Sequence, residues 1–104
     1  MAPTPMHPRT LLFEASSTGS WVPVVANAYS WHVWGTWNGA TAQLEFSVDG
    51  GTTWGPKDGV TATEPASGNV SGWDNVSIPA GHVRVSISGA GGSTSLSSDL
   101  RGVA

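Results

Sequence analysis

Ser47-Val48-Asp49-Gly50-Gly51-Thr52-Thr53-Trp54 places a serine and an aspartate before a Gly-Gly pair and closes on two threonines and a tryptophan. A carboxylate at Asp49 accepts hydrogen bonds from backbone N–H groups two residues on. The paired glycines tolerate the positive φ that a primed hairpin turn demands. Thr53 and Trp54 then open a returning strand, where a hydroxyl and a large ring lock the corner. Ser47, Asp49, Gly51, Thr53 and Trp54 are therefore assigned to a structural turn, and Asp49 to the bend rather than to acid catalysis.

The flanks of this turn alternate. Ala42, Leu44, Phe46 and Val48 interleave with Gln43, Glu45 and Ser47, the pattern of a strand with one buried and one wet face. Upstream, Tyr29 to Trp37 sets Tyr29, Trp31, Val33 and Trp37 against Ser30, His32, Trp34 and Thr36, and Asn38-Gly39 predicts a hairpin into the next strand. Downstream, Gly55 to Gly59 reads as a polar loop, Val60 to Thr63 as a short strand and Glu64 to Gly72 as a loop. Trp73 to Ile78 follows as a strand, then a turn at Pro79-Ala80-Gly81. His82 to Ser88 alternates Val83, Val85 and Ile87 against His82, Arg84 and Ser86. Gly89 to Gly92 is a turn before a last strand at Thr94 to Leu100. Near the start, Leu11 to Phe13 is a short strand, and Trp21 to Val25 is an edge strand because it carries Pro23. Turn signals recur about every 8–12 residues and no window has helical periodicity, so the expectation is an all-β, antiparallel sandwich, jelly-roll-like, of about seven or eight short strands. Residues 10–104 form that domain. Residues 1–9, with Pro3, Pro5 and Pro8, form an extended arm, either a disordered tail or a segment that orders on a neighbouring subunit.

The 104 residues suit one domain, too short for a multi-bladed propeller. Charged residues are only 11% of the chain, yet six tryptophans and many valines argue for a packed fold rather than disorder. The net charge of −3 and the scattered Arg9, Lys57, Arg84 and Arg101 argue against nucleic acid or an anionic membrane as partner. There is no cysteine, and Met1 to Pro8 has neither the charged nor the apolar region of a signal peptide. The sequons at Asn69 and Asn75 are accordingly read as coincidence.

Catalysis has little footing. A glycosidase needs two carboxylates at fixed separation in a cleft, whereas Asp49, Asp58 and Asp74 fall in expected turns and Glu45 on a wet strand face. His7, His32 and His82 lack metal-ligand spacing, and His32 and His82 read as solvated imidazoles. No G-x-S-x-G elbow occurs, and Gly89 to Gly92 lacks the Lys-Ser/Thr of a phosphate loop. No catalytic residue, metal or cofactor is expected. The tryptophans remain. Trp31 shares the core face of Val33, but Trp34 lies opposite it, and Trp21 and Trp73 adjoin polar loops. Exposed rings of this kind anchor protein interfaces or stack on sugars. Trp21, Trp34 and Trp73, with the arm prolines, are the candidate contact residues.

The Ser47 to Trp54 octet resembles the Asp-box, the hairpin motif repeated around sialidase propellers and found singly in other β proteins, where it is non-catalytic. The longer run from Trp34-Gly35-Thr36-Trp37-Asn38-Gly39-Ala40-Thr41 through Ser47, and the later Ile78-Pro79-Ala80-Gly81-His82-Val83-Arg84-Val85, are similar to segments of small virion proteins of tailed bacteriophages. The likeness covers roughly residues 30 to 100 in matching order. It implies a β-sandwich structural subunit, foremost a capsid decoration or cement protein. Such a protein would be made in the host cytoplasm and carried on the capsid surface, and it would bind the major capsid protein and copies of itself as a trimer or other ring. A head–tail or tail-surface component, or a glycan-binding module, is the alternative.

Overall fold

Alternating apolar residues, with glycine and proline between the runs, leave the chain only sheet structure in which to satisfy its backbone. The computed structural model describes residues 9–68 and 70–102. These form β1 (Arg9–Ala15), β2 (Val22–Val24), β3 (Asn27–Thr36), β4 (Thr41–Ser47), β5 (Trp54–Thr63), β6 (Val70–Ile78), β7 (Gly81–Ser88) and β8 (Ser95–Gly102). Two four-stranded sheets face each other, ordered β1-β8-β3-β6 and β2-β7-β4-β5. The antiparallel pairs β1/β8, β2/β7, β3/β6 and β4/β5 nest one inside the next. That nesting is one long hairpin, with the Ser47 to Trp54 turn at its tip, rolled until β3 meets β8 and β4 meets β7. The result is the jelly-roll form of the β-sandwich.

The inward rows follow the alternation. Tyr29, Trp31 and Val33 of β3, Ala42 and Leu44 of β4, Val83 and Val85 of β7, and Leu96 and Leu100 of β8 are fully buried. Trp37 is also in the core. Burying Trp31 brings its indole N–H inside, and Nε1 donates to Ser98 Oγ at 2.9 Å. Ser98 Oγ in turn donates to the His32 carbonyl at 2.7 Å, so the serine matches the indole's polar edge to the backbone. The Tyr29 hydroxyl donates to the Val25 carbonyl at 2.6 Å, tying the β2–β3 connection to the core.

Several sequence expectations are corrected. Asn38 and Gly39 adopt the positive φ of a primed turn, 46° and 85°, and Ala40 N–H donates to the Trp37 carbonyl at 3.0 Å. The strands they join nevertheless lie in different sheets, so this is a corner and not a hairpin. The turns at Pro79 to Gly81 and Gly89 to Gly92 also cross between sheets. Gly55 to Gly59 is part of β5 rather than a loop. A bulge between Gln43 and Glu45 interrupts the ladder there, and the Gln43 amide fills the gap by donating to the carbonyls of Lys57 and Val60 at 3.1 and 3.0 Å. β6 begins at Val70, three residues earlier than expected, and Asp74 sits within it instead of in a turn. Asp58 likewise belongs to β5. Val48 is exposed, because the chain has already left the ladder at Ser47, and Glu45 is buried rather than wet. Pro23 does sit on an edge strand, β2, opposite His82. β1 starts at Arg9, and the arm prolines Pro3, Pro5 and Pro8 lie outside the described residues.

Candidate functional site

The tip of the long hairpin holds itself together with side chains. Ser47 Oγ accepts from the N–H groups of Asp49 (3.2 Å) and Gly51 (2.7 Å). Its own proton points to the Thr53 carbonyl at 2.9 Å, with Asp49 Oδ1 at 3.1 Å. Asp49 Oδ1 accepts from Thr53 N–H at 2.8 Å. The bond expected from Asp49 to the N–H two residues on is thus made by Ser47 instead, and Asp49 spans the wider gap to Thr53. That backbone bond to Thr53, above all, holds the Asp49 carboxyl below its ordinary range, with smaller help from the Thr53 and Ser47 side chains. Gly51 sits at φ 124°, and a Cβ there would stand 2.6 Å from Trp21 Nε1. The glycine is required twice over, by its backbone angle and by the indole lying against it.

Trp21 belongs to a larger cluster on the outer face of the β2-β7-β4-β5 sheet. Glu45 and Arg84 are cross-strand partners, and Arg84 Nε donates to Glu45 Oε1 at 2.7 Å. The Arg84 guanidinium carbon stands 4.4 Å from the Trp21 ring centre and 4.8 Å from that of Trp54. The two indoles are 6.4 Å apart and tilted by 55°. A planar cation held by a carboxylate and flanked by two ring faces has little freedom left. Trp54, expected to pack at the hairpin base, is instead half exposed in this cluster. Glu45 is buried because the cluster covers it. His82, expected to be solvated, is partly covered at the same end. Its Nδ1 is buried without a hydrogen bond among the described residues.

The opposite outer face, on the β1-β8-β3-β6 sheet, carries a second group. His32 and Trp34 project outward from β3, flanked on β8 by Asp99 and Ser97 and on β6 by Gly72 and Val70. Asp99 is nine-tenths buried. Its Oδ2 accepts from Arg101 Nε at 3.0 Å, and its Oδ1 lies 3.4 Å from His32 Nδ1. His32, Trp34, Val70, Asp99 and Arg101 line an open depression of about 410 Å³. A histidine against a buried carboxylate is an oriented imidazole. Ser98, next to Asp99, faces inward with its hydroxyl committed to the His32 carbonyl, so it presents no nucleophile to that imidazole.

Of the expected contact residues, the structure unites Trp21 with Trp54 on one face and leaves Trp34 on the other. Trp73 does neither. Its Nε1 donates to the Thr61 carbonyl at 3.0 Å and closes the open β5/β6 edge between the sheets. Arg84, Glu45, Asp99 and Arg101 escaped the sequence reading as site residues. Outward alternation flagged Arg84, but pairing it with Glu45 needs the β4/β7 register. Among the described residues, no group of three or more histidine, aspartate or glutamate side chains could hold a metal ion. No family model, curated protein or solved structure matches the chain.

Proposed function

We propose that this chain is a structural protein of a tailed-bacteriophage virion, a capsid decoration subunit that binds shell protein and further copies of itself. The observation that supports this reading is the Trp21–Arg84–Trp54 stack. Tryptophan and arginine dominate the energetics of protein interfaces. Here both are already fixed by Glu45 and by the hairpin tip, so docking would cost little side-chain ordering. Exposed Val48, in the same hairpin tip as Trp54, adds apolar area. The likeness of residues 34–54 and 78–85 to virion proteins supplies the setting, and the low charge of the chain limits desolvation where many copies crowd together.

The test is co-sedimentation of the purified protein with capsids of the source phage, alongside mass spectrometry of purified virions. The expected outcome is a virion component whose capsid binding falls at least about tenfold in Trp54→Ala. Purified virions without the polypeptide would refute the proposal.

A further inference from the structure

The depression on the β1-β8-β3-β6 face has a chemistry that the capsid-binding stack does not use. Trp34 is partly buried at its rim, next to Val70, which is 56% exposed and is its cross-strand neighbour. Across the central strand, His32 sits between Asp99 and Gly72. A Cβ on residue 72 would stand 2.9 Å from His32 Cδ2, so the glycine leaves the space beside the ring that any other side chain would fill. Asp99 Oδ1 is buried and accepts no hydrogen bond among the described residues. His32 Nδ1 lies 3.4 Å from it. A neutral imidazole in that setting carries its proton on Nδ1 and turns Nε2 outward as an acceptor. Arg101 uses Nε on Asp99 Oδ2, and with a side chain 58% exposed it can present its remaining N–H donors to solvent. The buried carboxylate therefore orients one outward acceptor and one outward fork of donors beside an aromatic ring.

We infer that this depression binds a neutral saccharide, with Trp34 as the stacking ring, His32 Nε2 accepting from a hydroxyl and Arg101 donating to a hydroxyl or ring oxygen. Three features favour that ligand. Sugar C–H bonds match the negative face of an indole, and sugar hydroxyls both donate and accept. Asp99 and Arg101 cancel each other's charge, so the site has no surplus cation to attract phosphate or carboxylate. The volume of about 410 Å³ falls within the range of small-ligand sites while staying open, as an extended polymer would need. A protein partner would have to cover the Asp99–Arg101 pair and remove its water. A hydroxylated ligand replaces that water bond for bond. Asp99 is a positioning residue, with Oδ1 enclosed and Oδ2 accepting from Arg101.

Native affinity electrophoresis through gels containing hydroxyethylcellulose, galactomannan, dextran or arabinoxylan tests the inference on the intact chain, with tryptophan fluorescence titration on any polymer that retards it. The expected result is retardation by at least one polymer, weakened about tenfold in Trp34→Ala and less in Arg101→Gln and His32→Gln. Trp54→Ala, on the other sheet, should leave it unchanged. Thermal unfolding of Trp34→Ala checks that the variant is folded, and Arg101→Gln repeats the test if it is not. No retardation by any of the four polymers overturns the inference, as does retardation that survives Trp34→Ala and Arg101→Gln in folded protein. Loss of capsid binding in Trp34→Ala without any retardation would make this face a protein contact, which also overturns it. The inference does not rest on the capsid proposal, and the virion assay leaves it untouched.

Discussion

The two outer faces of the sandwich use the same device to opposite ends. Each carries an arginine bonded to a carboxylate that is nine-tenths buried, Glu45 under Arg84 and Asp99 under Arg101. Arg84 is only 22% exposed and lies against two indoles, whereas Arg101 is 58% exposed and lines an open depression with Trp34. The first face has its aromatic groups already occupied by its own cation, leaving a rigid outer surface. The second leaves ring and donors open. A buried carboxylate therefore fixes an arginine in both cases, and the neighbouring rings decide whether the result is a closed plate or an open site.

The largest expected effect comes from breaking the closed face. Arg84→Ala strands Glu45 and removes the filling between Trp21 and Trp54. It should cost roughly 3 kcal/mol, the low end for a broken buried pair because the rim is wet. Urea unfolding measures it. Gly51→Ala should cost about 2 kcal/mol, since φ 124° disfavours any side chain and the new Cβ would push Trp21 off the turn. Near-UV circular dichroism should show the indole displaced. On the open face, Arg101→Ala should cost only about 1 kcal/mol, because that arginine is largely solvated and His32 still faces Asp99. Equal losses for Arg84→Ala and Arg101→Ala would erase the contrast between the faces.

The smallest effect is a pH dependence at the tip of the hairpin. The folded state holds the Asp49 carboxyl below its ordinary value of 3.8. Its contribution is therefore fully present above that value and is lost as pH falls through the depressed one. Asp49→Asn should lower the thermal midpoint near neutrality and flatten its fall below about pH 4. A parallel acid limb in both proteins would mean that Asp49 carries none of it.

Face assignment along β3 and β7 was legible from alternation alone. Tyr29, Trp31, Val33, Val83 and Val85 are buried as the period of two requires. Strand extent was less legible where polarity misleads. Gly55 to Gly59 lacks an apolar pattern, yet it pairs because Gln43, a residue of the neighbouring strand, replaces the missing ladder bonds. The candidate sites were half legible. Trp21, Trp34 and Trp73 stood out as rings on polar ground; Trp73 is 42% exposed, and its indole N–H also fastens one sheet to the other. Nothing local shows that the polar edge of Trp73 finds a carbonyl of the other sheet.

Two turns mark the boundary between sequence and tertiary structure. Asn38-Gly39 and Ser47 to Trp54 both specify a tight reversal with positive φ, and both form one. Only the second joins paired neighbours. At the first, Asn38 can turn its amide oxygen to the N–H groups of Gly92 and Ser93, at 3.3 and 3.0 Å, docking one corner on another while β3 and β4 part into separate sheets. Short-range chemistry by itself determined where the chain bends, which side chains alternate inward and how the hairpin tip closes, because each depends on residues within a few positions. Which strands pair, and hence which arginine finds which carboxylate and ring, was decided only when the long hairpin rolled. That depends on burying the two inward rows against each other, a property of all eight strands at once. The Ser47 to Trp54 turn belongs to both levels: its hydrogen bonds are local, and its place at the tip of the roll is not.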